Sequence, residues 1–213
     1  MVLFPILREV YFIMTRSRRI GIRSLNKTVL IICEGETEKN YFKEMRDDLG
    51  FRGVVVEYGQ SKHCFGNDPS QILEYALYNR YRYEKIFCTF DKDNHAKYSS
   101  TLDRIHKLDQ NRGDKAEIKA INSVPCFEYW LLLHFCSGSS PSTKPMTQVE
   151  AKKAIKLHIP SYKGAMNGLW GITKPRLDIA LRNARLVAKN DNVSDNPSTR
   201  VHELIQDLRC CVC

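Results

Sequence analysis

No uninterrupted apolar stretch of ~18 residues occurs in the 213-residue chain, so no membrane-spanning helix is expected. The apolar start Met1–Leu7 is broken by Arg8 and Glu9 before Val10-Tyr11-Phe12-Ile13-Met14. The basic cluster follows this apolar part instead of preceding it, and there is no small-residue cleavage site. A secretory signal is therefore not expected. There is no Walker A phosphate loop, so the chain is not expected to hydrolyse ATP itself. There is no nucleophile elbow to build a Ser-His-Asp hydrolase. The eight cysteines do not offer a zinc site. Cys33, Cys88 and Cys126 lie inside apolar segments, where a thiol acts as a small hydrophobe. The tail Cys210-Cys211-Val212-Cys213 has one C-x-x-C spacing and no second pair. Buried thiols without a secretory signal read as cytoplasmic. Acid is also scarce: 24 Asp and Glu stand against 33 Lys and Arg, a net charge of +9. That excess biases the chain toward polyanions.

What is present is a composition suited to one folded core. Hydrophobic residues make up 43% and charged residues 27% of a length that suits one domain better than two. Residues 1–26 read as a basic arm, with Arg8, Arg16, Arg18, Arg19, Arg23 and Lys27 near it against Glu9. Strands are expected at Thr28–Cys33, Val54–Tyr58, Ile86–Phe90 and Ala116–Asn122, from apolar runs rich in β-branched and aromatic residues. Helices are expected at about Thr37–Leu49, capped by Thr37, and at Ser70–Tyr83, with Asp68 as cap and Pro69 at the first position. A further helix is expected at about Thr101–Leu108 and another across Phe127–Phe135. The alternation predicts an α/β fold, a mostly parallel sheet with helices on both faces. Ser137–Pro145 reads as a linker. Beyond it, Thr147 and Glu150 have capping-box spacing for a helix to Leu157. Tyr162–Gly164 and Gly168–Gly171 read as loops, Lys174–Asn190 as an amphipathic helix and Thr199–Leu208 as a last helix. The division is thus an arm at 1–26, an α/β domain at 27–137, and at 138–213 a linker and helical C-terminal extension packing on the same domain.

The chemistry sits where two apolar runs end. Val29-Leu30-Ile31-Ile32-Cys33 runs into Glu34-Gly35-Glu36-Thr37-Glu38, and Lys85-Ile86-Phe87-Cys88-Thr89-Phe90 runs into Asp91-Lys92-Asp93. A buried strand delivers its last residue to the sheet edge, where a ligand can reach it. Alternation puts Asp91 and Asp93 on one face, with Lys92 opposite. Glu34, Asp91 and Asp93 together offer the hard oxygen donors that Mg²⁺ or Mn²⁺ takes. Glu38 suits a supporting role or the start of its helix, and Glu36 reads as solvated. Glu128, an acid inside the apolar run Phe127–Phe135, is expected to face the site as ligand or general base, or to pair with a cation. Lys62, Lys92 and His95 are candidates to contact phosphate, and Arg176, Arg182 and Arg185 form a basic stripe. His134 and Trp130 read as packed core residues.

The glutamate after one strand and the D-x-D after another resemble the Toprim domain of primases, type II topoisomerases and OLD-family nucleases. The wording is closer to the RloB or AbiLii-like branch. Its segments are matched by Cys33-Glu34-Gly35-Glu36-Thr37-Glu38, by Pro125-Cys126-Phe127-Glu128-Tyr129-Trp130-Leu131-Leu132-Leu133-His134-Phe135 and by Asn196-Pro197-Ser198-Thr199-Arg200-Val201. One departure is Val124, where the family pattern carries Asn. The resemblance implies a Toprim-like sheet and a metal-dependent nuclease that uses Glu34, Asp91 and Asp93 with help from Glu128. It also implies a companion AAA/ABC-type ATPase and a place in phage defence. The rival reading is a non-catalytic Toprim module that docks to such an ATPase or to nucleic acid.

Overall fold

The computed structural model describes residues 28–58, 68–92, 96–110, 113, 115–137, 141, 144–188 and 196–212. The expectations for the arm 1–26, Lys62, Asp93 and His95 fall outside these residues. Five strands form one sheet in the order β2-β1-β3-β4-β5. They are β1 (Val29–Cys33), β2 (Val54–Tyr58), β3 (Lys85–Asp91), β4 (Glu117–Val124) and β5 (Ser198–Thr199). The first four are parallel, and β5 pairs antiparallel with the end of β4. The fold is therefore α/β, with a mostly parallel sheet flanked by helices.

The continuous apolar runs are explained by burial on both faces. Leu30 and Ile32 of β1 join Ile86, Cys88 and Phe90 of β3 on one face. That face is covered by α2 (Pro69–Asn79) and α3 (Tyr98–Gln110). Val29, Ile31 and Cys33 point to the other face with Phe87 of β3. There they meet α1 (Glu36–Leu49), α4 (Glu128–Leu133), α7 (Leu177–Ala188) and α8 (Val201–Val212). Residues from 29 to 208 thus share this second core. Among the described residues the remaining helices are α5 (Gln148–His158), α6 (Leu169–Thr173) and a 3-10 turn at Lys174–Arg176 that leads into α7.

Two capping signals work as expected. Asp68 and Gln71 close a capping box at α2, with Pro69 behind the cap. Thr147 and Glu150 close another at α5. Gly50 ends α1 in the left-handed conformation, at φ 66°.

Four expectations are corrected. Thr37 does not cap α1: the cap is Gly35, and the Thr37 hydroxyl instead accepts from Ala165 N at 3.0 Å. α2 ends at Asn79, not Tyr83, because Arg80 O is taken by Ala116 N at 3.0 Å, drawing the chain into the sheet edge. Gly168–Gly171 is not a loop but opens α6, whose first N–H groups are held by a helix remote in sequence. Glu44 accepts from Gly168 N at 2.6 Å and from Trp170 N at 3.2 Å. Thr199 does not begin the last helix but belongs to β5, and α8 starts at Val201.

The family-like Asn196-Pro197-Ser198-Thr199 segment acts as a clasp. The Asn196 side chain accepts from Met146 N at 3.1 Å and donates to Met146 O at 2.8 Å. Thr199 lies opposite Ser123 of β4, and their hydroxyls are 3.0 Å apart. Ser123 lies opposite Asp91 on its other side. The clasp therefore braces the strand end beside the acidic cluster.

Candidate active site

β1 and β3 run in register, with Cys33 opposite Thr89, so their ends reach the same sheet edge. Glu34 N donates to Thr89 O at 3.0 Å, which extends the ladder by one residue past β1. The Glu34 carboxylate then crosses to β3, where Oε2 accepts from Asp91 N at 2.8 Å. Only 9% of Glu34 is exposed. Asp91 is the last residue of β3, and Lys92 N behind it donates to Ser123 O at 2.8 Å. Two of the three predicted strand-end acids are thus brought together, and the backbone carrying the second is held from both sides.

Glu38, in the first turn of α1, is buried and folds back over Gly35. A Cβ at position 35 would meet its carboxylate, so a larger residue there would make the Glu38 side chain shift. Glu36 is exposed, as expected.

Glu128 opens α4 and is 5% exposed. Tyr162 Oη donates to its Oε1 at 2.7 Å, and Lys152 Nζ lies 4.0 Å from the same oxygen. Burial pushes the Cys126 thiol well above its usual range, and the charges of Glu128 and Asp91 add to the effect. Burial also raises the Tyr162 hydroxyl, helped by Glu128 and, more weakly, by Cys126 and Glu38. Glu128 thus acts on both Cys126 and Tyr162, with Asp91 adding to the first and Glu38 to the second. Tyr162 lay in a segment read as a loop, and only the return of the chain after α5 identifies it.

Lys92 lies over the Tyr98 ring, 6.0 Å from its centre, and the Tyr98 hydroxyl accepts from Asn122 Nδ2 at 2.7 Å. Burial raises that hydroxyl, with a contribution from Asp91. The basic stripe, Arg176 in the 3-10 turn before α7 and Arg182 and Arg185 on α7, is partly engaged elsewhere. Arg176 lies over the Phe135 ring at 5.2 Å and Arg185 donates to the Gln206 side chain, while Arg182 is exposed. His134 is fully buried edge-on to Trp130, also fully buried, as expected of core residues. Among the described residues, no three His, Cys, Asp or Glu side chains are grouped closely enough to hold a metal ion. Asp93, the third acid of the predicted set, is not one of those residues. Glu34 and Asp91, joined through the Asp91 N–H, both carry carboxylates, the donor type that Mg²⁺ or Mn²⁺ accepts. No helix among the described residues is long and apolar enough to cross a membrane.

A family model described as RloB-like protein covers residues 29–208. No curated protein and no solved structure matches the chain.

Proposed function

The chain belongs to the RloB-like family, and from that premise we propose that it is a metal-dependent nuclease that cleaves phosphodiester bonds in DNA or RNA. The observation that carries this reading is the bond from Asp91 N to Glu34 Oε2, which joins two strand-end acids at one sheet edge. Glu34 and Asp91, with Asp93, would hold Mg²⁺ or Mn²⁺. Such an ion, when bound, activates a water and neutralises charge on a phosphodiester. In this reading Glu34 does double duty, since its second oxygen fixes the backbone that presents Asp91. Glu128 serves as ligand or general base, oriented by the Tyr162 hydroxyl and balanced by Lys152. Lys92, and with it Lys62 and His95, would face the phosphate. The net charge of +9 favours a nucleic-acid substrate over a neutral one.

The Toprim-like reading of the sheet, a companion AAA/ABC-type ATPase, a cytoplasmic location and a role in phage defence complete the proposal. The companion would supply the ATP chemistry for which this sequence has no Walker A loop.

A second reading, a non-catalytic module that docks to the ATPase or to nucleic acid, draws on the engagement of Glu128 by Tyr162 and Lys152, which also suits a structural acid. Incubation of the purified protein with labelled DNA and RNA pools, with Mg²⁺, Mn²⁺ or chelator, separates the two. Cleavage that requires metal and is lost in Glu34→Ala supports the nuclease. Intact pools under all conditions support the docking module.

A further inference from the structure

We propose that the sheet edge opposite the acidic strand ends is a second contact surface for nucleic acid, a stacking platform for a single strand formed by Tyr78, Arg80, Tyr81 and Arg82. The proposal shares with the nuclease reading the premise that nucleic acid is bound, and rests on no other part of it.

Tyr78 and Tyr81 are each 71% exposed, far more than tyrosine's usual partial burial. Each ring carries a guanidinium. Arg80 lies over the Tyr81 ring at 5.0 Å and Arg82 over the Tyr78 ring at 5.6 Å. Both tyrosines nevertheless keep most of their surface in solvent. Unpaired nucleobases stack on aromatic rings and on arginine planes, while the phosphates between them pair with the same cations. Two tyrosines and two arginines within five residues, at the end of α2 and in the turn after it, supply both parts close together. A duplex keeps its base faces hidden, so the platform suits a single strand.

The turn is held from several directions, so these side chains are presented on a fixed backbone. Arg82 N donates to Asn79 O at 2.8 Å, and Ala116 N to Arg80 O at 3.0 Å. The Thr28 hydroxyl donates to Arg82 O at 3.4 Å. The buried Asn79 side chain donates to Tyr75 O at 3.0 Å. A platform ordered before binding loses less entropy when a ligand arrives.

Charge fits the same partner. Arg52 and Lys115 belong to the turns that lead into β2 and β4 at this edge, and Glu84 is the exposed acid within the platform's turn. At the nearby end of α1, Asp47 is paired with Arg46 and Asp48 with Lys174. β3 spans Lys85–Asp91, so the platform stands roughly 20 Å from the acidic cluster at the usual strand rise.

The test is fluorescence anisotropy of the full chain with labelled single-stranded DNA and RNA oligonucleotides in chelator, against a duplex of the same length. The variants are the pair Tyr78→Ala with Tyr81→Ala, and the pair Arg80→Ala with Arg82→Ala. The exposed tyrosines are expected to leave the melting temperature unchanged. Each double variant is expected to weaken single-strand binding about ten-fold or more, and the duplex to bind more weakly than the single strand. Single-strand binding that survives both variants overturns the platform and leaves the nuclease reading intact. Equal affinity for duplex overturns the stacking mode. Failure of the unaltered protein to bind any single strand overturns the platform, while metal-dependent cleavage in the pool assay still decides the acidic site.

Discussion

The Tyr162 hydroxyl donates to Glu128 Oε1 at 2.7 Å, joining the segment after α5 to the first residue of α4. The two residues are 34 positions apart, and both are buried. The bond keeps a carboxylate oriented in a place where an unpartnered charge is costly. Tyr162→Phe removes that donor and little else. Hydrogen bonds to charged groups contribute about 1.5–3 kcal/mol, so the variant should melt several degrees lower. Urea unfolding of the two proteins measures the difference directly.

Glu128→Gln separates chemistry from structure. It keeps size and hydrogen bonding but loses charge and basicity. If Glu128 is ligand or base, turnover should fall by roughly two orders of magnitude or more, with a nearly unchanged melting temperature. A destabilised variant with intact turnover per folded molecule would remove Glu128 from the site and make its approach to Lys152 the reason for its presence.

Asp91→Ala should abolish Mn²⁺ binding while leaving the fold intact. Asp91 contributes its backbone N–H to Glu34, and that bond survives the substitution. The side-chain oxygen donor to the metal is lost, and with it the charge that draws the cation. Titration calorimetry that finds unchanged Mn²⁺ affinity would end the shared-acid site.

Two buried histidines set an acid limit on stability. Burial pushes both His134 and His202 down to about 4. His134 Nδ1 lies 3.1 Å from Trp130 O and 3.2 Å from Leu131 O, so it carries the proton, and Nε2 finds no partner among the described residues. The unfolded chain takes up protons near pH ~6.5, whereas the folded chain resists until about 4. The unfolded state therefore binds more protons between these values, and stability falls as the pH drops through that window. The ceiling is about 3 kcal/mol per histidine. Denaturant unfolding at pH 7 and pH 5 should show the loss, and equal stability at the two values would contradict it.

Asp207 anchors α8 beneath the sheet. It lies 3.0 Å from Lys85 Nζ and 2.9 Å from Lys119 Nζ, and Glu117 lies 3.2 and 3.0 Å from the same two lysines. Desolvation raises the Asp207 carboxyl, but the hydrogen bonds from Lys119 and Lys85 outweigh it and leave the group below its usual range. Asp207→Asn should cost about 1–2 kcal/mol, between the values for surface and fully buried pairs. Urea unfolding at pH 7 tests this, because the contribution is present above the unfolded carboxyl pKa and is lost only in stronger acid.

The sequence by itself determined the elements whose information is local. β1 and the middle of β3 are buried on both faces, so β1 is wholly apolar, β3 is apolar from Ile86 to Phe90 except at Thr89, and both runs could be read directly. The Asp68 and Thr147 caps use partners three residues away, within reach of a pattern. The acids Glu34 and Asp91 were visible because each interrupts such a run at its end. The tertiary structure alone decided what depends on distant partners. β5 is two polar residues that become a strand because the end of β4 offers them a ladder. α6 follows a left-handed glycine and begins where Glu44 of α1 supplies the acceptors that its own sequence does not. Thr37 looked like a cap, but helix α1 had already begun, and its hydroxyl went to Ala165 across the fold. Tyr162 reaches Glu128 for the same reason: buried polar groups must find partners, and which partner is near is set by packing, not by spacing along the chain.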